Sequence, residues 1–170
     1  IIGAALFPLV FKWTGNKGWA ASVFSMLMGV SMIALYFFSI EETPVLFYTF
    51  AALAQFFFSG FNTAIYAIIP DCVEYGEWRT GIRNDGFQYS FISLANKIGM
   101  ALGTSLLALV MGWAGYEPNV EQTDTVKEVM HHAFSTVPGI LWVITAGIML
   151  FYRLGRKEYN QIVKELGNRR

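Results

Sequence analysis

Lys97 is the residue whose type and position in this chain most clearly indicate chemistry. It is the single charged side chain between Phe87 and Trp113, a run long enough to cross a bilayer. A charge at that depth is costly and seldom faces lipid, so we interpret Lys97 as a functional residue. The alternative is that its side chain reaches back to the membrane surface. However, Lys97 lies ten residues after Phe87, about 15 Å along a helix axis.

The residues around Lys97 divide a helix into a polar face and a small face. At about 100° per residue, the polar side chains within roughly 80° of Lys97 are those of Tyr89, Ser93 and Thr104. The small residues that fall opposite, and that favour close helix packing, are Ala95, Gly99 and Gly103. This division predicts a helix that lines a cavity, with candidate lining residues Lys97, Ser93, Tyr89 and Asn96. Hydroxyl groups that only bond back to their own helix are the alternative.

A second polar group lies in the apolar run from Val45 to Pro70. Asn62 and Tyr66 are four residues apart and share one helical face, and Gln55 lies further back along the same run. We consider Asn62 and Tyr66 candidates for lining the same cavity as Lys97. A structural, hydrogen-bonded amide is the alternative for each amide side chain.

The segment from Asp71 to Gly86 concentrates charges of both signs. Asp71 and Glu74 are three residues apart and would share a face if the preceding helix continued. One interpretation is a solvated loop whose ion pairs contribute little to stability. The other is a cytoplasmic gate whose pairs break when a pathway opens, with the candidate gate residues Asp71, Glu74, Arg79 and Arg83. Both interpretations remain open at this point.

Composition indicates a membrane protein and excludes several other classes. Hydrophobic residues make up 55% of the 170 residues and charged residues only 14%. One cysteine and two histidines, His131 and His132, cannot form an intramolecular disulfide or a Cys/His metal cluster. The chain has no nucleophile elbow, no phosphate-binding glycine loop and no basic stripe. We therefore expect that the chain is not an enzyme, and that it has no cofactor, no metal site and no nucleic-acid partner.

The apolar runs predict an all-α membrane protein, because they lack the alternation of a barrel. The predicted spans are 1–11 (partial), 18–40, 45–70, 87–113 and 133–152, with a polar tail at 153–170. If the intervening loops alternate sides, ten of the 12 Lys and Arg residues collect on one side. The positive-inside rule then places that side and the C-terminus in the cytoplasm.

Two amphipathic segments lie outside the predicted spans. The acidic loop from Ala114 to His132 is expected to carry a short helix that starts after Thr123 or Thr125. The tail has an apolar face formed by Tyr159, Ile162, Val163 and Leu166. We interpret the tail as a surface helix near the cytoplasmic headgroups, with a partner-binding helix as the alternative.

The charged segment resembles a family signature. The string Asp71-Cys-Val-Glu-Tyr-Gly-Glu-Trp-Arg-Thr-Gly-Ile-Arg83, followed by Tyr89-Ser90 and Lys97, resembles the region between the tenth and eleventh helices of glycoside–pentoside–hexuronide:cation symporters. That family belongs to the major facilitator superfamily. The segments Gly115-Tyr116 and Pro118-Asn119, with Pro138 before the last run, are also similar to its final connection.

The resemblance implies a twelve-helix transporter of two bundles that works by alternating access. The chain would be its C-terminal portion, with four complete transmembrane helices and the end of a fifth. The implied function is symport of a sugar or glycoside with a cation, Na⁺ or H⁺, across a bacterial inner membrane. The implied partners are that sugar, the coupling cation, the lipid bilayer and an N-terminal helix bundle of the same polypeptide.

The resemblance also suggests roles for individual residues. Lys97 stands where the family carries a lysine beside its sugar and cation sites, and Ser93 where a hydroxyl residue is often found. Asp71, Glu74 and Arg83 match gate charges, and the loop that supplies their basic partners holds Lys12 and Lys17. Because the family's main sugar and cation carboxylates lie in the N-terminal bundle, Lys97 is expected to pair with them or with sugar hydroxyls. A non-transporting membrane sensor or regulatory protein on the same scaffold, and a membrane enzyme with upstream catalytic residues, are the alternatives.

Overall fold

A computed structural model describes residues 2–38 and 43–169. These residues form seven α-helices and one short 3₁₀ turn, Leu35–Phe37, and they contain no strand beyond an isolated bridge between Asn16 and Gly155. The helices are α1 (Ile2–Thr14), α2 (Lys17–Ala34), α3 (Pro44–Thr80), α4 (Asp85–Ala114), α5 (Asp124–Phe134), α6 (Thr136–Met149) and α7 (Arg156–Arg169).

Four helical segments of the described residues are long and apolar enough to cross a membrane. They are Lys17–Phe37, Pro44–Thr80, Asp85–Ala114 and Asp124–Met149. The last segment combines α5 and α6, which are separated by a break at Ser135. The prediction of an all-α, multi-pass membrane protein is therefore confirmed.

Helix α2 is the centre of the packed part, between α3 on one side and α6 on the other. Its contact with α6 depends on small residues, since a Cβ atom at Gly29 would lie only 2.8 Å from the carbonyl oxygen of Gly139. Two α2 hydroxyls also bond to the α6 backbone: Ser22 Oγ donates to Ala146 O at 2.8 Å and Ser25 Oγ to Trp142 O at 2.7 Å. Small-residue packing and interhelical hydrogen bonds are the forces available to helices in lipid.

The contact between α2 and α3 is also close, because a glycine receives an aromatic ring. A Cβ atom at Gly60 of α3 would meet the ring of Phe24 at 2.5 Å. Phe24 belongs to the buried apolar cluster, together with Phe7, Ala20, Ala21 and Ala64. Phe7 lies on α1, so this cluster joins α1, α2 and α3 into one interlocked group with α6.

Helix α3 extends further than the predicted span of 45–70. It continues past Pro70 to Thr80 and ends where Gly81 adopts the left-handed conformation at φ 73°. Its 37 residues span about 55 Å, well beyond a hydrocarbon core of about 30 Å. The predicted loop from Asp71 to Gly86 is thereby reduced to four residues, 81–84. Charges indicate where a helix leaves an apolar layer, but they do not end the helix.

The two predicted amphipathic segments both form helices. Helix α5 begins at Asp124, and the Thr123 side chain caps it by accepting a hydrogen bond from the Val126 amide. The tail forms α7, which packs against the extension of α3. Ile162 and Leu166 are buried, and Trp78 Nε1 donates to Glu165 Oε2 at 2.6 Å. The tail helix thus docks on the extension of α3, and its position near the headgroups stays a prediction.

Candidate functional site

The polar face of α4 has no packing partner in the described part of the chain. No residue of α4 is buried, and Lys97 is exposed. Helix α4 meets α3 only near its start, where Gln88 Nε2 donates to Cys72 O at 3.2 Å. Gln88 precedes Lys97 by nine residues and therefore falls on the opposite side of the helix. The candidates Tyr89, Ser93, Asn96 and Lys97 are all exposed.

The predicted small face of α4 is equally uncovered. A Cβ atom at Gly99 or Gly103 would meet nothing within 4 Å among the described residues. Thr104, on the same helix, donates to Met100 O and Ala101 O of its own backbone. Close packing through small residues instead occurs between α2 and α6, where the sequence analysis did not identify it.

The structure brings Asn62 and Tyr66 together on one open groove of α3. The groove has a volume of about 530 Å³ and is lined by Gln55, Phe58, Ser59, Asn62, Thr63 and Tyr66. Tyr66 is 60% exposed, and within the described ranges the side chains of Asn62 and Tyr66 make no hydrogen bond. Lys97 is not part of this lining, so the described helices do not combine the two polar faces into one cavity.

Sequence analysis missed Ser59 and Thr63 as members of this groove. Their spacing from Gln55, at four and eight residues, was a signal for the same helical face. Both are half-buried small hydroxyl residues, which are common in transmembrane helices without any function. Their spacing alone therefore does not identify the groove, which is defined by the surface of α3 in the structure.

One end of the helix group holds Lys17, Asp71, Gln88 and Tyr152, and we call it the basic end. There, Asp71 of α3 forms an ion pair with Lys17 at the start of α2. Lys17 Nζ lies 2.8 Å from Asp71 Oδ1 and donates a second bond to Ala67 O at 2.9 Å. Tyr152 OH donates to Asp71 Oδ2 at 3.4 Å. Asp71 is only 2% exposed, so its charge is compensated inside the chain.

Tyr159 of α7 covers this ion pair from the outside. Lys17 Nζ lies 5.4 Å from the centre of the Tyr159 ring, within the range of a cation–π contact. A hydrogen bond to Glu74, together with partial burial, raises the pKa of Tyr159 above its ordinary value. Glu74 Oε2 is buried and has no hydrogen-bond partner among the described residues.

Arg83 does not pair with Asp71 or Glu74. Its guanidinium contacts Asp85 at 2.7 Å and Glu77 at 3.1 Å, which are its neighbours across the short turn between α3 and α4. Arg79 is exposed and lies in the last turn of α3, one residue before its end. The predicted gate set therefore separates into a pair between helices, at Asp71, and a local cluster, at Arg83.

Sequence analysis did not identify Tyr152 and Tyr159 as parts of the charged cluster. Tyr152 is the last residue of the predicted span 133–152, and Tyr159 belongs to the predicted apolar face of the tail. Lys17 was expected only to lie in a loop that supplies basic partners. Its choice of Asp71 depends on the packing of α2 against α3.

Comparison with known proteins identifies a transporter family. Residues 1–156 match the sequence profile of the family described as "MFS/sugar transport protein". A putative sulfoquinovose importer of Escherichia coli (strain K12) is 33% identical over 100% of this chain and 36% of its own length. A putative 2,3-dihydroxypropane-1-sulfonate exporter of the same strain is 38% identical over 99% of the chain. A glucuronide carrier protein homolog of that strain is 32% identical over 100% of the chain.

These matches define both the similarity and its limits. The chain spans 36% of the length of the sulfoquinovose importer and of the sulfonate exporter, a little over one third. No solved structure matches the chain. The resemblance to the glycoside–pentoside–hexuronide family is confirmed by the profile and by these relatives. None of the three is named as a sensor or regulatory protein.

Proposed function

The chain belongs to the MFS/sugar transport protein family, and we propose that it forms the C-terminal part of a twelve-helix secondary transporter. The transporter moves a sugar-like solute together with a cation, Na⁺ or H⁺, by alternating access between two helix bundles. The remaining bundle of the same polypeptide supplies most of the sugar and cation contacts. We place the basic end on the cytoplasmic side of a bacterial inner membrane, because ten of the 12 Lys and Arg residues fall on that side if the loops alternate sides.

The observation that carries this proposal is Lys97 on the uncovered α4. The only charge within the span is exposed and lies on the side opposite the contact with α3. An ammonium group facing lipid at that depth is unfavourable, whereas one facing a water-filled path or an anionic partner is not. We assign Lys97, with Ser93, Tyr89 and Asn96 on neighbouring positions, to the wall of the solute path.

The groove of α3 supports the same assignment. Asn62 and Tyr66 are exposed at membrane depth without a hydrogen-bond partner in the described residues, which is costly in hydrocarbon. Facing solute hydroxyls or water would satisfy them. Helices from the remaining two thirds of the protein would bring this groove and Lys97 to opposite parts of one path.

Lys97 also suggests the chemical class of the solute. Two relatives are named for a sulfonate and a glucuronide, and both kinds of compound carry an anionic group beside hydroxyl groups. An ammonium group that attracts such an anion gains more than one beside a neutral sugar, because the low dielectric strengthens the attraction. We therefore propose an anionic, hydroxyl-rich solute, with Lys97 as its charge partner or as the partner of the carboxylates that hold it.

The ion pair of Asp71 has a different role in this proposal. Lys17 and Asp71 belong to helices of one interlocked group, so rocking of one bundle against the other leaves their pair intact. We propose that this pair braces the cytoplasmic end of the bundle. Glu74 and Arg79 are the candidates for contacts with the other bundle, since a Glu74 oxygen has no partner in the described part and Arg79 is exposed.

Uptake by cells that carry the full-length protein tests the role of Lys97. We expect Lys97→Ala to abolish accumulation of a labelled glucuronide or sulfonate, and Lys97→Arg to retain part of it because the charge remains. Lys127→Ala, which removes a charge from the start of α5 and outside the predicted span 133–152, is the matched control and should transport normally. Near-normal accumulation and unchanged cation dependence in Lys97→Ala would remove Lys97 from the mechanism.

Charge reversal tests the gate assignment. We expect that no substitution at Asp71 or Glu74 restores the transport that Arg83→Glu impairs, because Arg83 contacts Glu77 and Asp85 instead. Asp71→Lys combined with Lys17→Asp should recover part of the activity that either single change removes. Recovery of transport when Asp71→Arg is added to Arg83→Glu would contradict the proposed brace of Lys17 and Asp71. It would support the gate in which Arg83 pairs with Asp71.

A further inference from the structure

A small cavity with a mixed polar and apolar lining lies at the basic end, between the end of α1, the start of α2, Asp71 of α3 and the first turns of α7. Its volume is about 180 Å³, and its lining is Phe11, Lys17, Asp71, Leu154, Arg156, Tyr159 and Asn160. The two turns that bound it are pinned together: the Arg156 amide donates to Gly15 O at 3.1 Å, and Asn16 Nδ2 donates to Tyr152 O at 3.2 Å. The cavity is thus a formed feature of the fold.

The electrostatic balance of this cavity is positive. Its one acid, Asp71, is neutralised by Lys17 at 2.8 Å. The Arg156 guanidinium forms no ion pair within the described residues, and the Asn160 amide makes no hydrogen bond there. Two further acids lie close by and keep their negative charge: Glu74, which contacts Tyr159, and Glu158, which accepts a bond from the Gly155 amide.

Further cations adjoin the lining residues along the chain, and they bring the local count to five basic groups against three acids. The residues next to its lining that are exposed, and that form no ion pair among the described residues, are Lys12, Arg153 and Lys157. A cluster of this size at the point where helices leave the membrane attracts anionic lipid, with about 1 kcal/mol for each basic residue. The chemistry that fits is a phosphate monoanion held by guanidinium, ammonium and amide donors.

The neighbouring apolar residues favour a lipid over free phosphate as the source of that anion. Phe11 and Leu154 form part of the lining itself. Trp13, two residues after the lining residue Phe11, is 90% exposed. Aromatic residues at this level lie at the headgroup depth of a bilayer. A glycerophospholipid would place its phosphate at Arg156 and its glycerol and first methylene groups against these residues.

We infer that this cavity is a binding site for the headgroup of an anionic phospholipid. The lipid would sit beside the Lys17–Asp71 brace and would connect α1, α2 and α7 on the outside of the helix group. This site is separate from the solute path, because Lys97 and the groove of α3 contribute nothing to its lining. It does not depend on the identity of the transported solute.

Native mass spectrometry of the full-length protein in detergent tests the site without any transport measurement. We expect phosphatidylglycerol to stay bound under conditions that remove phosphatidylcholine of the same acyl chains. Arg156→Gln should weaken phosphatidylglycerol binding about fivefold, which corresponds to the loss of one basic residue near the membrane. Arg156→Lys should retain most of the binding, and Lys12→Gln should weaken it independently of Arg156.

The matched control is Lys164→Gln, an exposed α7 residue of the same charge that does not line the cavity. It should leave phosphatidylglycerol binding unchanged. Three results would overturn the inference: equal retention of both lipids, an equal loss in Lys164→Gln, or displacement of the lipid by excess inorganic phosphate. The last result would identify a free phosphate site in place of a lipid site.

Discussion

Helices α2 and α4 are both long and apolar, yet they differ in how much of their surface is buried against other described helices. Half of the most apolar part of α2 is buried inside the chain, compared with none of that of α4. Both carry glycines and hydroxyl residues, on one face in α2 and on opposite faces in α4, but among the described residues only those of α2 meet another helix. The difference shows that glycines at helical spacing permit close packing without ensuring it.

The contrast has a functional meaning. Lipid tails are as apolar as leucine, so helices associate through shape and hydrogen bonds, and α2 uses both with α6. Helix α4 instead keeps its polar face open, with Lys97 available to the remaining part of the protein. We interpret α2 as the framework of this bundle and α4 as the helix that works on the solute.

The largest expected effect comes from adding bulk between α2 and α6. A Cβ atom at Gly139 would lie 3.0 Å from Gly29 O and from Ile33 N, both backbone atoms. We expect Gly139→Leu to cost roughly 3 kcal/mol, the upper part of the usual range for overpacking, because backbone cannot move aside. Thermal unfolding of the purified full-length protein measures the loss.

Gly103→Leu on α4 is the matched control, and we expect a change below about 0.5 kcal/mol. Nothing in the described part of the chain lies within 4 Å of a Cβ atom there. Equal losses in the two variants would contradict the contrast between the helices. They would mean that a helix from the rest of the protein packs on the small face of α4.

A smaller loss of stability is expected from the ion pairs at the start of α2, formed by Lys17, and at the start of α4, formed by Asp85. Asp71→Ala leaves Lys17 without its carboxylate, and we expect a loss of about 2 kcal/mol. This lies below the roughly 3–5 kcal/mol of a fully buried pair, because the Lys17 side chain keeps 21% of its surface exposed.

Asp85→Ala removes a charge partner of Arg83 at the start of α4 and should cost less than about 1 kcal/mol, since both side chains are more than 40% exposed. Denaturation of the two variants in parallel compares them. A double variant, Asp71→Ala with Lys17→Ala, should be more stable than Asp71→Ala alone. A double variant that is no more stable would show that Asp71 acts through another partner.

The smallest expected effect concerns the hydroxyls of the two helices. Ser22→Ala together with Ser25→Ala removes two hydrogen bonds to α6, and we expect a loss of about 1 kcal/mol, at roughly 0.6 kcal/mol for each bond. Thr104→Ala should be neutral in the same unfolding assay, because Thr104 bonds only to its own helix. A neutral double variant would indicate that small size, and not hydrogen bonding, joins α2 to α6.

The candidate site was predictable where a residue conflicts with its surroundings. Lys97 and Asn62 are recognisable from sequence because polar groups in apolar runs need a reason to be there. Lys17 and Tyr159 were not, because a lysine or tyrosine at a span end conflicts with nothing. The role of Lys17 depends on its contact with Asp71, 54 residues away in the sequence, and that of Tyr159 depends on its contact with Glu74. Such partners are chosen by tertiary packing.

By itself, the sequence determined that this protein is helical, crosses a membrane several times and belongs to a sugar transporter family. Hydropathy and charge set the first two properties, since each acts between a segment and its solvent, whereas the family is indicated by the motif from Asp71 to Arg83. The tertiary structure decided which small face packs, which base meets Asp71, and where α3 and α7 end. These outcomes are competitions between several possible neighbours, and in lipid small differences in shape and hydrogen bonding decide them.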